Sequence, residues 1–289
     1  MNWIKQIQRV RNSGIPKIYQ NRLEKIVKNG KNGYMAGAEP FFIYPSTEVG
    51  VLLLHGFTST PAQFMELAEY LAGKGVSVYA PLIAGHGTKP EDLEKTTSKD
   101  WIESCEKALD ELSEKVKKVF VLGNSFGGNI AFKLAHDYPE RISGVISIGT
   151  PVWIRAHHYR KARAFSQAYL QRYWRKPRAF FNSKAPRLID EITYSKIPNK
   201  SNREFFRLVK RTNKMMPDIK SPTLIIQADI DPIVHPKSAL RIHDCLGSKD
   251  KKICWLNDSF SHSMMEDERR GEIYKKIYNF VEEIFHRKR

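Results

Sequence analysis

The stretch Lys118-Val119-Phe120-Val121-Leu122 runs directly into Gly123-Asn124-Ser125-Phe126-Gly127, and no other feature of the 289-residue chain restricts its fold as strongly. An apolar strand, a serine with glycine two residues before and two after, and then Asn129-Ile130-Ala131-Phe132-Lys133-Leu134-Ala135 at helical spacing describe a strand–turn–helix junction. The serine occupies the apex of a turn so tight that its own backbone is strained. Strand and helix pass close together there, so the flanking positions must lack bulky side chains. With 17 glycines in the chain the pentapeptide alone would be weak. Its context makes it a nucleophile elbow.

Residues 50 to 150 alternate strands and helices around this junction. Val51–Leu54 is a short buried strand ending at His55-Gly56. Pro61 opens a helix to Ala72, with Phe64, Leu67, Ala68 and Leu71 on one face. Val76–Ala80 is the next strand, a helix runs from about Asp100 to Val116, and Gly144–Ile148 is the strand after the elbow helix. Continuous apolar strands alternating with helices predict a mostly parallel sheet covered on both faces. The rhythm breaks at Thr150-Pro151 and resumes at Ser221-Pro222. It then gives a strand at Thr223–Gln227, a helix at Lys237–Cys245, a strand at Lys251–Leu256 and a last helix from about Asp267 to His286. Between the two halves the sequence is aromatic and basic, with helical patches and no good strand. The expected organisation is an N-terminal extension (1–48), a core (49–151 and 217–289) and a cap insertion (152–216).

Charge follows the same boundaries. The net charge is +17, of which residues 152–216 carry +14 and residues 1–48 carry +5, leaving the remainder nearly neutral. No stretch approaches the ~20 apolar residues of a membrane span. The N-terminus lacks the continuous apolar segment of a signal peptide. Cys105, Cys245 and Cys254 are scattered without metal spacing and read as free thiols in a reducing cytosol. A cytoplasmic protein, peripheral to the membrane at most, is expected.

A serine hydroxyl becomes a nucleophile when a base takes its proton, and an acid orients that base. On this architecture the partners follow in the order serine, acid, histidine, each in a loop after a later core strand. Asp231, in Ala228-Asp229-Ile230-Asp231-Pro232, fits the acid, with Asp229 its competitor. His262, in the polar loop after Lys251–Leu256, fits the base. Among nine histidines His235 is the decoy to test, while His157, His158, His243 and His286 fall in the insertion, on a helix or at the tail. The oxyanion needs two backbone N–H groups, for which Phe126 and Phe57 are the candidates. His55 is expected to pack below the site, and Gly85-His86-Gly87 to shape a rim loop.

With the elbow, His55-Gly56-Phe57-Thr58, the Asp231 loop and His262 in this order, the chain resembles the α/β-hydrolase superfamily. Its nearest likeness there is to small bacterial carboxylesterases and monoacylglycerol lipases. His55-Gly56-Phe57-Thr58, Ala80-Pro81-Leu82-Ile83-Ala84-Gly85-His86-Gly87, Asp100-Trp101 and Gly123-Asn124-Ser125-Phe126-Gly127-Gly128 carry the finer match. The resemblance covers residues 50–150 well and 221–286 moderately; it is poor over the insertion and absent over residues 1–45. It implies an α/β-hydrolase fold with a helical cap, Ser125 as nucleophile, Asp231 as acid, His262 as base, and the Phe57 and Phe126 amides as oxyanion donors. Two departures stand out: Ser261 precedes the histidine where such enzymes often have glycine, and the insertion is more basic than a plain lid requires.

The expected reaction is two-step hydrolysis of carboxylic esters with short- to medium-chain acyl groups, or of monoacylglycerols, without metal or cofactor. A thioesterase shares every part, and a binding protein on a retained hydrolase fold would show a broken site. Segment 153–187 interleaves aromatics with arginines, which suits a cap with a solvated basic side, adsorption to an anionic membrane surface, or attraction of an acidic substrate. Nucleic acid is disfavoured, since no recognisable module accompanies the charge.

Overall fold

The computed structural model describes residues 34–35, 37–155, 171–176, 192–259 and 261–287. The N-terminal segment, His157, His158 and most of the aromatic stretch lie outside the described residues. Seven strands form one sheet: β1 (Phe41–Ile43), β2 (Val49–Leu54), β3 (Ser77–Ala80), β4 (Lys118–Asn124), β5 (Ile142–Ile148), β8 (Thr223–Ala228) and β9 (Lys251–Leu256). Their spatial order is β1-β3-β2-β4-β5-β8-β9. Only β1 is antiparallel to its neighbour; the other pairs are parallel. This is the mostly parallel sheet of an α/β-hydrolase. The short edge strand β1 carried too few residues to be seen in the sequence pattern.

Helices cover both faces. They are α1 (Met65–Ala72), α2 (Pro90–Lys95), α3 (Ser98–Ser113), α4 (Phe126–Asp137), α5 (Asn199–Met215), α6 (Lys237–Cys245) and α7 (Arg270–His286). Successive side chains of a strand point to opposite faces. Leu52 and Leu54 of β2 therefore join a core with Trp101, Phe126, Ile130, Leu208 and Ile242. Val51 and Leu53 join the other, with Leu67, Leu71, Ile277 and Val281. Burial on both sides is why β2 reads as an unbroken apolar run rather than an alternating one.

Some expectations are corrected for local reasons. The helix expected from Asp100 begins at Ser98, because the Asp100 carboxylate accepts from both the amide and the hydroxyl of Thr97 and closes the first turn. Pro61–Phe64 is a tighter 3₁₀ turn that hands over to α1 at Met65. The insertion does contain strands: β6 (Tyr173–Arg175) pairs antiparallel with β7 (Lys196–Pro198), Trp174 opposite Ile197. Three-residue strands give no periodicity to detect.

Parallel strands bring their C-terminal ends to one edge. The loops after β2, β4, β5, β8 and β9 all open there, in the crevice where open α/β sheets bind ligands. No helix among the described residues is long and apolar enough to cross a membrane.

Candidate active site

Ser125 joins β4 to α4 with φ 52° and ψ −116°. A non-glycine residue in that region is held there by its surroundings. Its amide donates to the Ile148 carbonyl at 2.7 Å, and its carbonyl accepts from the Gly128 amide at 2.9 Å. Both flanking glycines are required by contact. A Cβ on Gly123 would lie 2.2 Å from the Gly127 carbonyl oxygen, and one on Gly127 would lie 2.0 Å from that of Leu54. The turn leaves the Ser125 hydroxyl at the sheet edge.

His262 bridges serine and acid. Its Nε2 is 3.0 Å from Ser125 Oγ, and its Nδ1 is 2.8 Å from Asp231 Oδ2. A carboxylate only accepts, so Nδ1 carries the ring proton and Nε2 is left basic toward the serine. Asp231 is fully buried. Its Oδ1 accepts from the amides of Ile233 and Val234 at 2.8 and 2.9 Å, and its Oδ2 also accepts from Gln227 Nε2 at 3.2 Å. Four donors compensate the buried charge and fix the rotamer.

Asp229 does not reach the histidine ring. Its two oxygens accept from the amides of Asp258 and Ser259, at 2.9 and 3.1 Å, which holds the start of the loop carrying His262. Those hydrogen bonds keep its carboxyl below the usual carboxylate range. His235 accepts from the Lys237 amide at the start of α6 through Nδ1, 3.2 Å away. His243 and His286 pair with Asp244 and Glu282 at the surface.

The loop after β2 is built around a neutral histidine. His55 is fully buried, its Nδ1 donates to the Gly56 carbonyl at 3.0 Å, and its Nε2 accepts from the Ile83 amide at 3.1 Å. Burial, with His86 nearby, pushes its pKa well below the ordinary value, so the ring stays uncharged. The Gly56 carbonyl also accepts from the Ser59 amide at 3.0 Å. In a trans peptide N–H and C=O point opposite ways, so fixing that carbonyl fixes the direction of the Phe57 N–H. Phe126, as the first residue of α4, has an N–H without an intrahelical acceptor. The two phenyl rings touch, with centroids 5.3 Å apart, and Trp101, His86 and Phe205 complete the cluster. His86 is buried, with its pKa lowered to about 4 chiefly by desolvation.

His262 is thus within hydrogen-bond reach of both Ser125 and Asp231, all three far apart in sequence, while Asp229 and His235 are engaged elsewhere. Three contributors were not anticipated. Gln227 was visible as a polar residue ending an otherwise apolar strand. Asp229 was expected only as a competitor. Phe205 on α5 left no signal that it would meet the first core loop.

Residues 46–269 match the Hydrolase_4 family, described as serine aminopeptidase, S33. The chain belongs to this family. It is 36% identical over 226 residues to the thermostable monoacylglycerol lipase of Bacillus sp. (strain H-257), covering 78% of this chain and 87% of that one. It is 29% identical over 248 residues to a carboxylesterase of Bacillus subtilis (strain 168), covering 84% and 96%. A metagenome-derived lipolytic enzyme of known structure superposes with a TM-score of 0.77 at 27% identity, over 86% of this chain and 99% of the other. The fold extends to a monoacylglycerol lipase of Paleococcus ferrophilus, with a TM-score of 0.69 at 21% identity, over 85% and 98%.

Proposed function

We propose that this S33 hydrolase cleaves carboxylic esters of short- to medium-chain acids, monoacylglycerols among them, with Ser125 as nucleophile, His262 as base and Asp231 as orienting acid. That it is an ester hydrolase follows from its family and from relatives named monoacylglycerol lipase and carboxylesterase. The observation that carries the residue assignment is the His262 bridge, 3.0 Å to Ser125 Oγ and 2.8 Å to Asp231 Oδ2, at the apex of a strained turn.

In this reading Ser125 Oγ bonds to the ester carbonyl carbon while its proton passes to His262 Nε2. Asp231 stabilises the imidazolium, and the Phe57 and Phe126 N–H groups hold the oxyanion. Collapse breaks the bond to the alkoxy oxygen, which takes the proton from His262 and departs as alcohol. Water then gives a proton to His262 and its oxygen to the acyl carbon, releasing the acid and restoring the Ser125 hydroxyl. Hydrolysis of p-nitrophenyl esters from about two to about sixteen carbons tests this. The wild type should show a maximum at short to medium chains, and Ser125→Ala should lose about 10³-fold or more in kcat. Equal activity in the two proteins would refute the assignment.

Residues 152–216 act as the cap over this site, on a core formed by 49–151 and 217–289, with 1–48 as an extension. The basic cap meets an anionic membrane surface. Helix α5 supports this: Lys200, Arg207, Lys210, Arg211 and Lys214 are exposed around Phe206, itself 54% exposed, while Phe205 on the inner side packs on Phe57. A cationic stripe with an apolar ring at its margin suits an anionic lipid headgroup layer. Co-sedimentation with phosphatidylcholine vesicles, with and without phosphatidylglycerol, should show binding only to the anionic vesicles and release by salt. The three free thiols suit a reducing, cytoplasmic setting.

A further inference from the structure

Thr58 follows the expected oxyanion donor and adopts φ 65°, in the left-handed region that β-branched residues avoid. Such a conformation persists only where neighbours over-determine it. Two of the neighbours that do so come from the cap. Lys176, next to β6, donates from Nζ to Thr58 Oγ1 at 2.6 Å and to Thr193 Oγ1 at 3.0 Å. The Tyr194 amide donates to the Thr58 carbonyl at 3.0 Å. Thr58 is fully buried beneath them.

The Thr58 hydroxyl has one proton to give, and it donates to the Phe57 carbonyl at 2.5 Å. It therefore accepts a hydrogen bond from the ammonium group and passes the polarisation to the backbone, a charge-assisted pair of bonds in sequence. The peptide on the other side of Phe57 is fixed from the core, through the Gly56 carbonyl held by His55 and Ser59. Phe57 is thus held at both flanks, once by the core and once by the cap. The ribbon that carries Lys176 is itself seated on α2. Arg172 binds Glu94 with two nitrogens, and Glu91 accepts from both Tyr173 and Lys196. Tyr194 adds a bridge to the rim loop, donating to the Gly85 carbonyl at 3.0 Å and accepting from the Thr88 amide at 2.9 Å.

We infer that Lys176 is a positioning residue for the oxyanion loop: from the cap it fixes the Thr58 hydroxyl and, through it, the peptide next to the amide that receives the developing charge. The inference rests on the esterase reading for its kinetic consequence and on geometry alone for its effect on the loop. Seating of the cap then becomes part of the catalytic geometry rather than a cover over it. An oxyanion donor removed outright costs about 10²–10³ in kcat; one left in place but loosened should lose about tenfold.

The test compares Lys176→Met, Lys176→Arg, Thr58→Val and the double variant Lys176→Met/Thr58→Val in p-nitrophenyl butyrate hydrolysis, beside Ser125→Ala. Lys176→Met should lower kcat about tenfold with KM within about threefold. Lys176→Arg, which keeps a donor, should recover most of that loss. The double variant should be no slower than the slower single one, since both cut the same link. An unchanged kcat in Lys176→Met, or multiplicative losses in the double variant, overturns the inference. Amide hydrogen exchange of the peptide covering residues 54–60 is read in the same proteins. Exchange at Ser59 should rise about tenfold in Lys176→Met, and unchanged exchange also overturns it. Should Thr58→Val fail to fold, Lys176→Met with the exchange measurement decides alone. Failure of the esterase reading would show separately, as a wild type no faster than Ser125→Ala.

Discussion

The ring of Phe205 lies flat against that of Phe57, with centroids 5.1 Å apart and planes 15° apart. Helix α5 therefore packs directly on the loop after the first core strand. Phe205 also meets Phe126 edge-on at 5.9 Å, so one side chain braces both residues whose amides are assigned to the oxyanion. Phe205→Ala should cost about 3 kcal/mol of stability, the usual range for an aromatic deleted from a core. It should also move the p-nitrophenyl ester preference toward longer acyl chains, as the space beside Phe57 opens. Urea unfolding and the chain-length profile read the two effects, and an unaltered profile would place the acyl chain elsewhere.

Asp231 and Asp229 differ in their partners, and their amide variants should differ accordingly. In Asp231→Asn the Ile233 and Val234 amides keep the side-chain oxygen on their side. The new NH₂ then faces His262 Nδ1 and Gln227 Nε2, donor against donor. The imidazole must take the wrong tautomer, and kcat should fall about 10³–10⁴-fold. Asp229→Asn leaves the imidazole proton where it is and weakens only the hold on Asp258 and Ser259. A loss within about tenfold is expected there. Steady-state kinetics on both variants would expose a reversed order.

Strain at Ser125 gives a stability prediction independent of substrate. Glycine tolerates the positive φ that serine adopts under constraint. Ser125→Gly and Ser125→Ala should both be inactive, yet the glycine variant should be more stable than the alanine variant by about 1 kcal/mol. Chemical denaturation of the pair measures the difference; an alanine variant of equal or greater stability would mean the turn stores no strain.

Acid should weaken the fold through its buried histidines. His86 titrates near 6.5 in the unfolded chain and at about 4 in the folded one, mainly because burial disfavours the charged ring. Between those values the unfolded state binds the extra proton. The stabilisation is fully present above about pH 6.5, declines as pH falls toward 4 and changes no further below it. His86 alone should account for about 2 kcal/mol between pH 7 and pH 5, and His55 shifts in the same direction. His86→Asn should flatten the slope of urea midpoint against pH. A parallel slope in the variant would assign the acid sensitivity to other groups.

The core was readable because burial on both faces writes unbroken apolar strands, and because the Ser125 turn admits so few residues. Those constraints are local. What escaped was non-local or too short. The β1 edge strand and the β6–β7 ribbon have three residues each, too few for a period. The choice between Asp231 and Asp229 depended on which carboxylate the loop after β8 turns toward His262. The greater reach of the loop favours Asp231 in the sequence, and backbone donors at Ile233, Val234, Asp258 and Ser259 hold the two carboxylates apart. Phe205 reads in sequence as one apolar position of an amphipathic helix. Its meeting with Phe57 exists only once α5 has docked on α4.

Strands β5 and β8 pair directly, Ile148 beside Ile226, so everything between them is an excursion from one edge of an uninterrupted ladder. Outside α5, whose Phe205 and Leu208 belong to the core, such an excursion can vary in length without breaking a rung of the sheet. The freedom is incomplete, because Lys176 and Tyr194 prop Thr58 from the exchangeable side. On our proposal, a foreign segment grafted at this edge would leave Ser125, Asp231 and His262 in place yet lack the props for that one turn.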